Sequence, residues 1–243
     1  MSTPLLEICA YGINSAMAAE EGGADRVELC DNMQEGGTTP SYGTISQARK
    51  RLSIPVFPII RPRGGDFLYN KYEFDIMKED IRMCKSLGCE GVVFGILLPD
   101  GQVDVDRCSQ LMELAQGMEV TFHRAFDHTS DPQKALEDII GLRCHRMLTS
   151  GQHPTALGGT TLLRNLVKQA GNRITIMPGS GINEHNIIEL MISTHAKEFH
   201  GSLKTEVKSK MQYFKRGFND ADYFETLSGK VRLLKQTMQH AAI

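Results

Sequence analysis

Residues 5–30, LLEICAYGINSAMAAEEGGADRVELC, read as a strand, a helix and a second strand, and the rest of the chain repeats that unit. The runs LLEIC (5–9) and RVELC (26–30) are short and aliphatic, and each closes on Glu-x-Cys. Between them SAMAAEEG is helical in composition, with Asn14 or Ser15 expected to cap it and the Gly22-Gly23 pair to stop it. Six further runs follow: VFPIIRPR (56–63), GVVFGIL (91–97), VTFHRAFD (120–127), RMLTSG (146–151), ITIMPGSG (174–181) and EFHGS (198–202). Amphipathic stretches separate them. Residues 73–87 show the pattern well, with Phe74, Met77, Ile81, Cys84 and Leu87 on one stripe. Asp131-Pro132 supplies a capping residue and a first-turn proline before QKALEDIIG. Eight strand-helix units in 243 residues predict one domain over residues 1–243, a parallel (β/α)8 TIM barrel, a fold that needs about 250 residues. Residues 203–228 show no clean period and are expected to form a lid, an interface arm or a disordered segment, and GKVRLLKQTMQHAA a terminal helix.

Composition narrows the function classes. With 27 Lys and Arg against 29 Asp and Glu, the net charge of −2 gives no warrant for nucleic acid or an anionic membrane as partner. No run approaches the roughly twenty apolar residues of a membrane span, and the first residues lack the basic-then-apolar pattern of a signal peptide. A soluble, cytoplasmic protein is therefore expected, with its six cysteines as free thiols. No cysteine pair has CxxC spacing, which argues against a zinc ribbon.

In such barrels function sits at the carboxyl ends of the strands, and there this chain is unusually polar. Because strand side chains alternate faces, Glu7 shares a face with Cys9, and Glu28 with Cys30. Buried carboxylates need partners, and Arg61, Arg63, His123, Arg124 and His200 end other strands. The expected catalytic constellation is Glu7, Glu28, Arg61 and His123, with His123 as general acid-base oriented by one of the glutamates. The structural alternative is a buried pair of Arg61 with either glutamate. Each cysteine alone reads as a small core residue. As a pair on adjacent strand ends, Cys9 and Cys30 open a Cu(I) site, because soft thiolates suit Cu(I) and structural Zn(II) normally takes four ligands.

The turn Gly179-Ser180-Gly181, a helix expected to start near Asn183 or Glu184, and Gly201-Ser202 together resemble a phosphate cup, equally readable as plain tight turns. Arg63 and Arg124 extend that candidate anion site, although alternation turns Arg124 outward if His123 faces inward. No strand run contains a lysine, which disfavours a Schiff-base aldolase, with Lys204 just beyond the last strand. The first strand lacks His-x-His, and no GxSxG elbow occurs.

The segments EICAY, GADRVELC, EGGTTPSYG, IIRPRGGDFLY, TFHRAFD, LTSGQ and GSGI, spread from the first strand to the eighth, together resemble the CutC family, named for copper homeostasis. That resemblance implies a cytoplasmic TIM barrel, a homodimer or higher homo-oligomer, and Cu(I) bound by Cys9 and Cys30. After the eighth strand His200-Gly201-Ser202 stands where the family carries a more serine-rich run. The alternative reading is an enzyme using general acid-base chemistry on a small anionic or phosphorylated substrate, since a simple metal carrier has no need for Glu7, Glu28, Arg61 and His123 at one mouth.

Overall fold

The computed structural model describes residues 4–213 and 223–241. Eight βα units run in order: β1 (Leu5–Tyr11) and α1 (Ile13–Glu21), β2 (Arg26–Cys30) and α2 (Tyr42–Arg51), β3 (Val56–Pro58) and α3 (Lys71–Ser86), β4 (Gly91–Phe94) and α4 (Val105–Leu114). Then follow β5 (Glu119–Phe122) and α5 (Pro132–Gly141), β6 (Arg146–Thr149) and α6 (Thr160–Ala170), β7 (Thr175–Pro178) and α7 (Ile187–Thr194), and β8 (Glu198–Gly201). The strands form two parallel arcs, β3-β2-β1-β8 and β4-β5-β6-β7. Parallel bridges between Ile59 and Val93 and between Gly179 and His200 join the arcs, so the cylinder closes as the eight-fold repeat predicts.

Alternation within each strand builds two cores. Leu6, Ile8, Ala10, Val27 and Leu29 face outward into the layer of helices. Cys9, Cys30, Phe57, Ile59 and Val93 pack together as a separate cluster inside the barrel. On the helix side the expected stripe of α3 is buried at Phe74, Met77, Ile81 and Cys84. Each such side chain contributes about 1.5–3 kcal/mol by leaving water. Asp131 caps α5 as predicted, accepting from the Lys134 backbone N–H at 3.0 Å.

Four local expectations change. Helix α1 starts one residue after Gly12, whose φ of +91° suits glycine, so neither Asn14 nor Ser15 caps it. Ser15 lies inside the helix and accepts the Thr226 N–H at 3.1 Å. Helix α3 starts at Lys71, two residues before the expected start at Glu73, because Asn70 and Glu73 form a reciprocal capping box. Helix α7 starts at Ile187 rather than near Asn183, because Asn183 and Asn186 spend their amides on the preceding turn. Beyond β8, the stretch expected as a lid, an arm or a disordered segment contains an antiparallel pair, β9 (Lys204–Val207) with β10 (Tyr223–Thr226), before α8 (Ser228–Ala241). Residues 214–222 of that expected arm lie outside the described residues.

Candidate functional site at the barrel mouth

The site rests on a charged floor. Register places Glu7 level with Arg26 on one side and with His200 on the other. The Arg26 guanidinium donates to Glu7 Oε2 at 2.5 Å and to Glu198 Oε2 at 2.6 Å. Arg146 joins from β6, donating to Glu198 at 2.8 Å and pairing with Glu119 at 2.6 Å. Both guanidinia lie about the Phe57 ring, at 5.1 and 5.4 Å from its centre. Such an array satisfies charges that a barrel interior otherwise excludes.

Above the floor the groups become reactive. His200 Nδ1 meets Glu7 Oε1 at 2.7 Å, and its Nε2 faces Glu28 Oε2 at 3.6 Å. Cys9 Sγ lies 3.5 Å from Cys30 Sγ, and ligand atoms of Cys9, Glu28 and Cys30 all fall within 4.8 Å of one another. Burial pushes the Glu7 carboxyl up, but Arg26 and His200 overcome it and hold it at about 2. Hydrogen bonding from the Cys30 thiol, then from His200, holds Cys9 well below the usual thiol range despite its burial. Burial and the neighbouring Cys9 push both Cys30 and Glu28 well up. Burial would neutralise His200, yet Cys9, Glu7 and Glu28 hold it protonated well above an ordinary imidazole. Each like pair is thus split: Cys9 is pulled below the ordinary thiol range and Cys30 pushed above it, while Glu7 is pulled below the ordinary carboxyl range and Glu28 pushed above it.

The expected residues do not all converge. Cys9, Glu28, Arg61, His123, Arg124, Ser180, Gly181, Gly201 and Ser202 line one cavity of about 500 Å³, and Glu7 lies beneath it, bonded to His200. Arg61 pairs with neither glutamate. It donates to the backbone carbonyls of Glu35, Gly37 and Gly65 at 2.6–2.7 Å, because Arg26 and His200 already occupy Glu7. Nor do His123 and a glutamate form the expected acid-base couple. His123 Nδ1 accepts the Ala125 N–H at 3.3 Å, and burial, with Arg61 nearby, lowers the ring to about 3. The imidazole that meets both carboxylates is His200.

Arg63 turns away to Glu73 at 2.6 Å and Asp66 at 2.9 Å, and is not among the cavity residues. Arg124 reaches the rim, held by Asp127 at 2.7 Å and Ser150 at 3.0 Å. Gly179 sits in the β7–β8 bridge rather than at the cavity wall. The later start of α7 removes the helix terminus expected behind Ser180 and Gly181. Sequence reading missed Arg26, Arg146 and Glu198, which looked like the ordinary polar starts of strands. A usable signal existed: Arg26 alternates with Glu28 and Cys30, and Glu198 with His200, so period two already put them on the inner face.

Comparison with known proteins shows the family and the fold. The CutC family model matches residues 4–205. A CutC family protein of Chromobacterium violaceum is 50% identical over 244 residues, covering 98% of this chain and 99% of its own. The human copper homeostasis protein cutC homolog is 46% identical over 209 residues, covering 86% of this chain and 77% of its own. The crystal structure of CutC from Streptococcus agalactiae superposes with a TM-score of 0.79 at 37% identity, over 82% of this chain and 98% of that one.

Proposed function

Because the chain belongs to the CutC family, a family of copper homeostasis, we propose that it binds Cu(I) directly between the thiols of Cys9 and Cys30. The observation that carries this reading is the pair of buried sulfurs 3.5 Å apart, one of them pulled well below the usual thiol range. Two soft donors favour Cu(I) over harder ions, and the carboxyl of Glu28 is a third, harder neighbour. Two metal–sulfur bonds of about 2.3 Å span roughly 3.8–4.6 Å between bent and linear arrangements. The thiols therefore open by about an ångström or less, within the reach of small side-chain rotations.

The same reading places the protein in the cytoplasm, as a homodimer or larger homo-oligomer. Among the described residues all six cysteines are unbridged, in keeping with a reducing compartment, and no helix is long and apolar enough to cross a membrane. Tyr72 and Ile76 on α3, and Ile188 and Ile192 on α7, are exposed apolar side chains available to a second copy.

An anaerobic titration of the protein against a calibrated Cu(I) chelator tests the reading. One equivalent of competitively held Cu(I) is expected; failure to compete removes direct copper binding. His200→Asn is expected to weaken Cu(I) about 10–100-fold, because a group bonded to a metal ligand tunes it at that scale. An unchanged affinity in the same titration would make His200 structural only.

A further inference from the structure

The end of the barrel opposite the thiols holds another cavity, of about 590 Å³, built from the turns that enter β6, β7 and β8. Its basic side chains are Arg143, His145, Arg146, Arg173, His195 and Lys197, and among the described residues no Asp or Glu lines it. Two of the cations are already engaged from outside the cavity, Arg146 by Glu119 and Glu198 and Arg173 by Glu137. Arg143, His195 and Lys197 are not. All three are exposed, and none makes a side-chain hydrogen bond or ion pair with another described residue. His145, also exposed, adds a donor: its Nδ1 accepts the Val120 N–H at 3.0 Å, which leaves the ring proton on Nε2.

The backbone gives a second, independent sign. The turns entering β2, β4, β5 and β7 each reach a positive φ on a glycine, at Gly23, Gly88, Gly117 and Gly171. The turns entering β6 and β8 put Arg143 (φ +62°) and His195 (φ +57°) in that place. L side chains enter this left-handed region at a cost that glycine avoids. Such strain clusters at binding sites, and here both strained residues bring a nitrogen donor to one cavity.

The number of donors indicates the ligand. A carboxylate has two oxygens, fewer than a guanidinium, an ammonium and two imidazoles can meet. A phosphate monoester has three terminal oxygens and nearly two charges, and the planar guanidinium fork matches it bidentately. Ile140, Val167 and Ile174 supply apolar wall, and the volume falls in the roughly 300–1,000 Å³ range of small-molecule sites, so the cavity has room for a carbon body.

We infer that the base of the barrel binds a small organic phosphate, its phosphoryl oxygens held by Arg143, His195 and Lys197 and its carbon body against Ile140 and Val167. The site lies at the amino ends of the strands, whereas Cys9 and Cys30 lie at the carboxyl ends, so its test does not involve copper.

Isothermal titration calorimetry of the full chain with AMP, ribose 5-phosphate and phenyl phosphate as probes, and citrate and inorganic phosphate for comparison, reads it out. At least one organic phosphate is expected to bind the wild type, and to bind at least about tenfold more weakly in Lys197→Ala and in Arg143→Gly. Arg143→Gly separates binding from a structural role. Glycine suits the turn, so the variant without ligand is expected to melt no lower than the wild type while it loses affinity. Should it melt lower, Lys197→Ala, a change at an exposed side chain, decides alone. No organic phosphate bound, citrate or inorganic phosphate bound as tightly, or wild-type affinity in Lys197→Ala each overturns the inference.

Discussion

A Cys9→Ser, Cys30→Ser double variant is expected to keep its fold and lose Cu(I) affinity by about 10⁴-fold or more. A four-ligand thiolate or imidazole site is worth roughly 10–16 kcal/mol to its metal, so two sulfurs carry on the order of 5–8 kcal/mol, or about four to six decades. Serine preserves volume at two buried positions but offers a hard oxygen, which Cu(I) disfavours. The remaining neighbours, Glu28 and His200, do not replace soft donors. The chelator competition measures the loss, and an unchanged affinity would return both cysteines to the core. Since Cys9 is pulled below the usual thiol range and Cys30 is pushed well above it, metal entry is expected to release about one proton, from Cys30. Log affinity should then rise by about one per pH unit around neutrality. A slope near two would mean that Glu28 also ionises and joins the metal.

Arg26→Met is expected to cost about 3–5 kcal/mol of folding stability, the usual penalty for breaking a buried ion pair from one side. Arg26 bridges Glu7 and Glu198, which are 1% and 8% exposed, so neither can recover water when the guanidinium goes. His200 still holds Glu7 and Arg146 still holds Glu198, which favours the lower end of that range. Urea unfolding checks it; a loss below about 1 kcal/mol would show that those two partners suffice.

The same floor sets the acid response. Glu7 is depressed from an ordinary 4.5 to about 2, so its contribution is fully present above about 4.5 and disappears as pH falls through 2. That depression corresponds to about 3 kcal/mol at neutral pH. His200 works in the opposite sense. Its folded value is raised, so its contribution is present below the ordinary imidazole range and is lost as pH rises through the folded value. In Arg26→Met the loss of Glu7's share is expected to begin at higher pH, visible in stability measured between pH 2 and 6.

Much of this architecture was legible in the chain. Eight aliphatic runs separated by amphipathic stretches specified the barrel, and period-two alternation put Glu7 with Cys9, and Glu28 with Cys30, on the inner face at strand ends. The segments shared with the CutC family marked the same cysteines. Which charge meets which was not legible. Arg61 stood at the right strand end for a partner, yet its guanidinium knits loop carbonyls, and His123 stood where an acid-base histidine was expected, yet its ring is held neutral against Ala125.

The physical reason is that alternation fixes the face of a side chain but not its height. Height depends on the stagger between strands, which closure of the barrel imposes. Here that stagger sets Cys9 beside Glu28 and Cys30 beside Tyr11, and brings His200, 193 residues along the chain, level with Glu7. The sequence by itself determined the fold, the inward face and the cysteine pair. Only the tertiary structure decided that Arg26 and His200, rather than Arg61 and His123, complete the buried charges, because only register across distant strands brings opposite charges within hydrogen-bond reach.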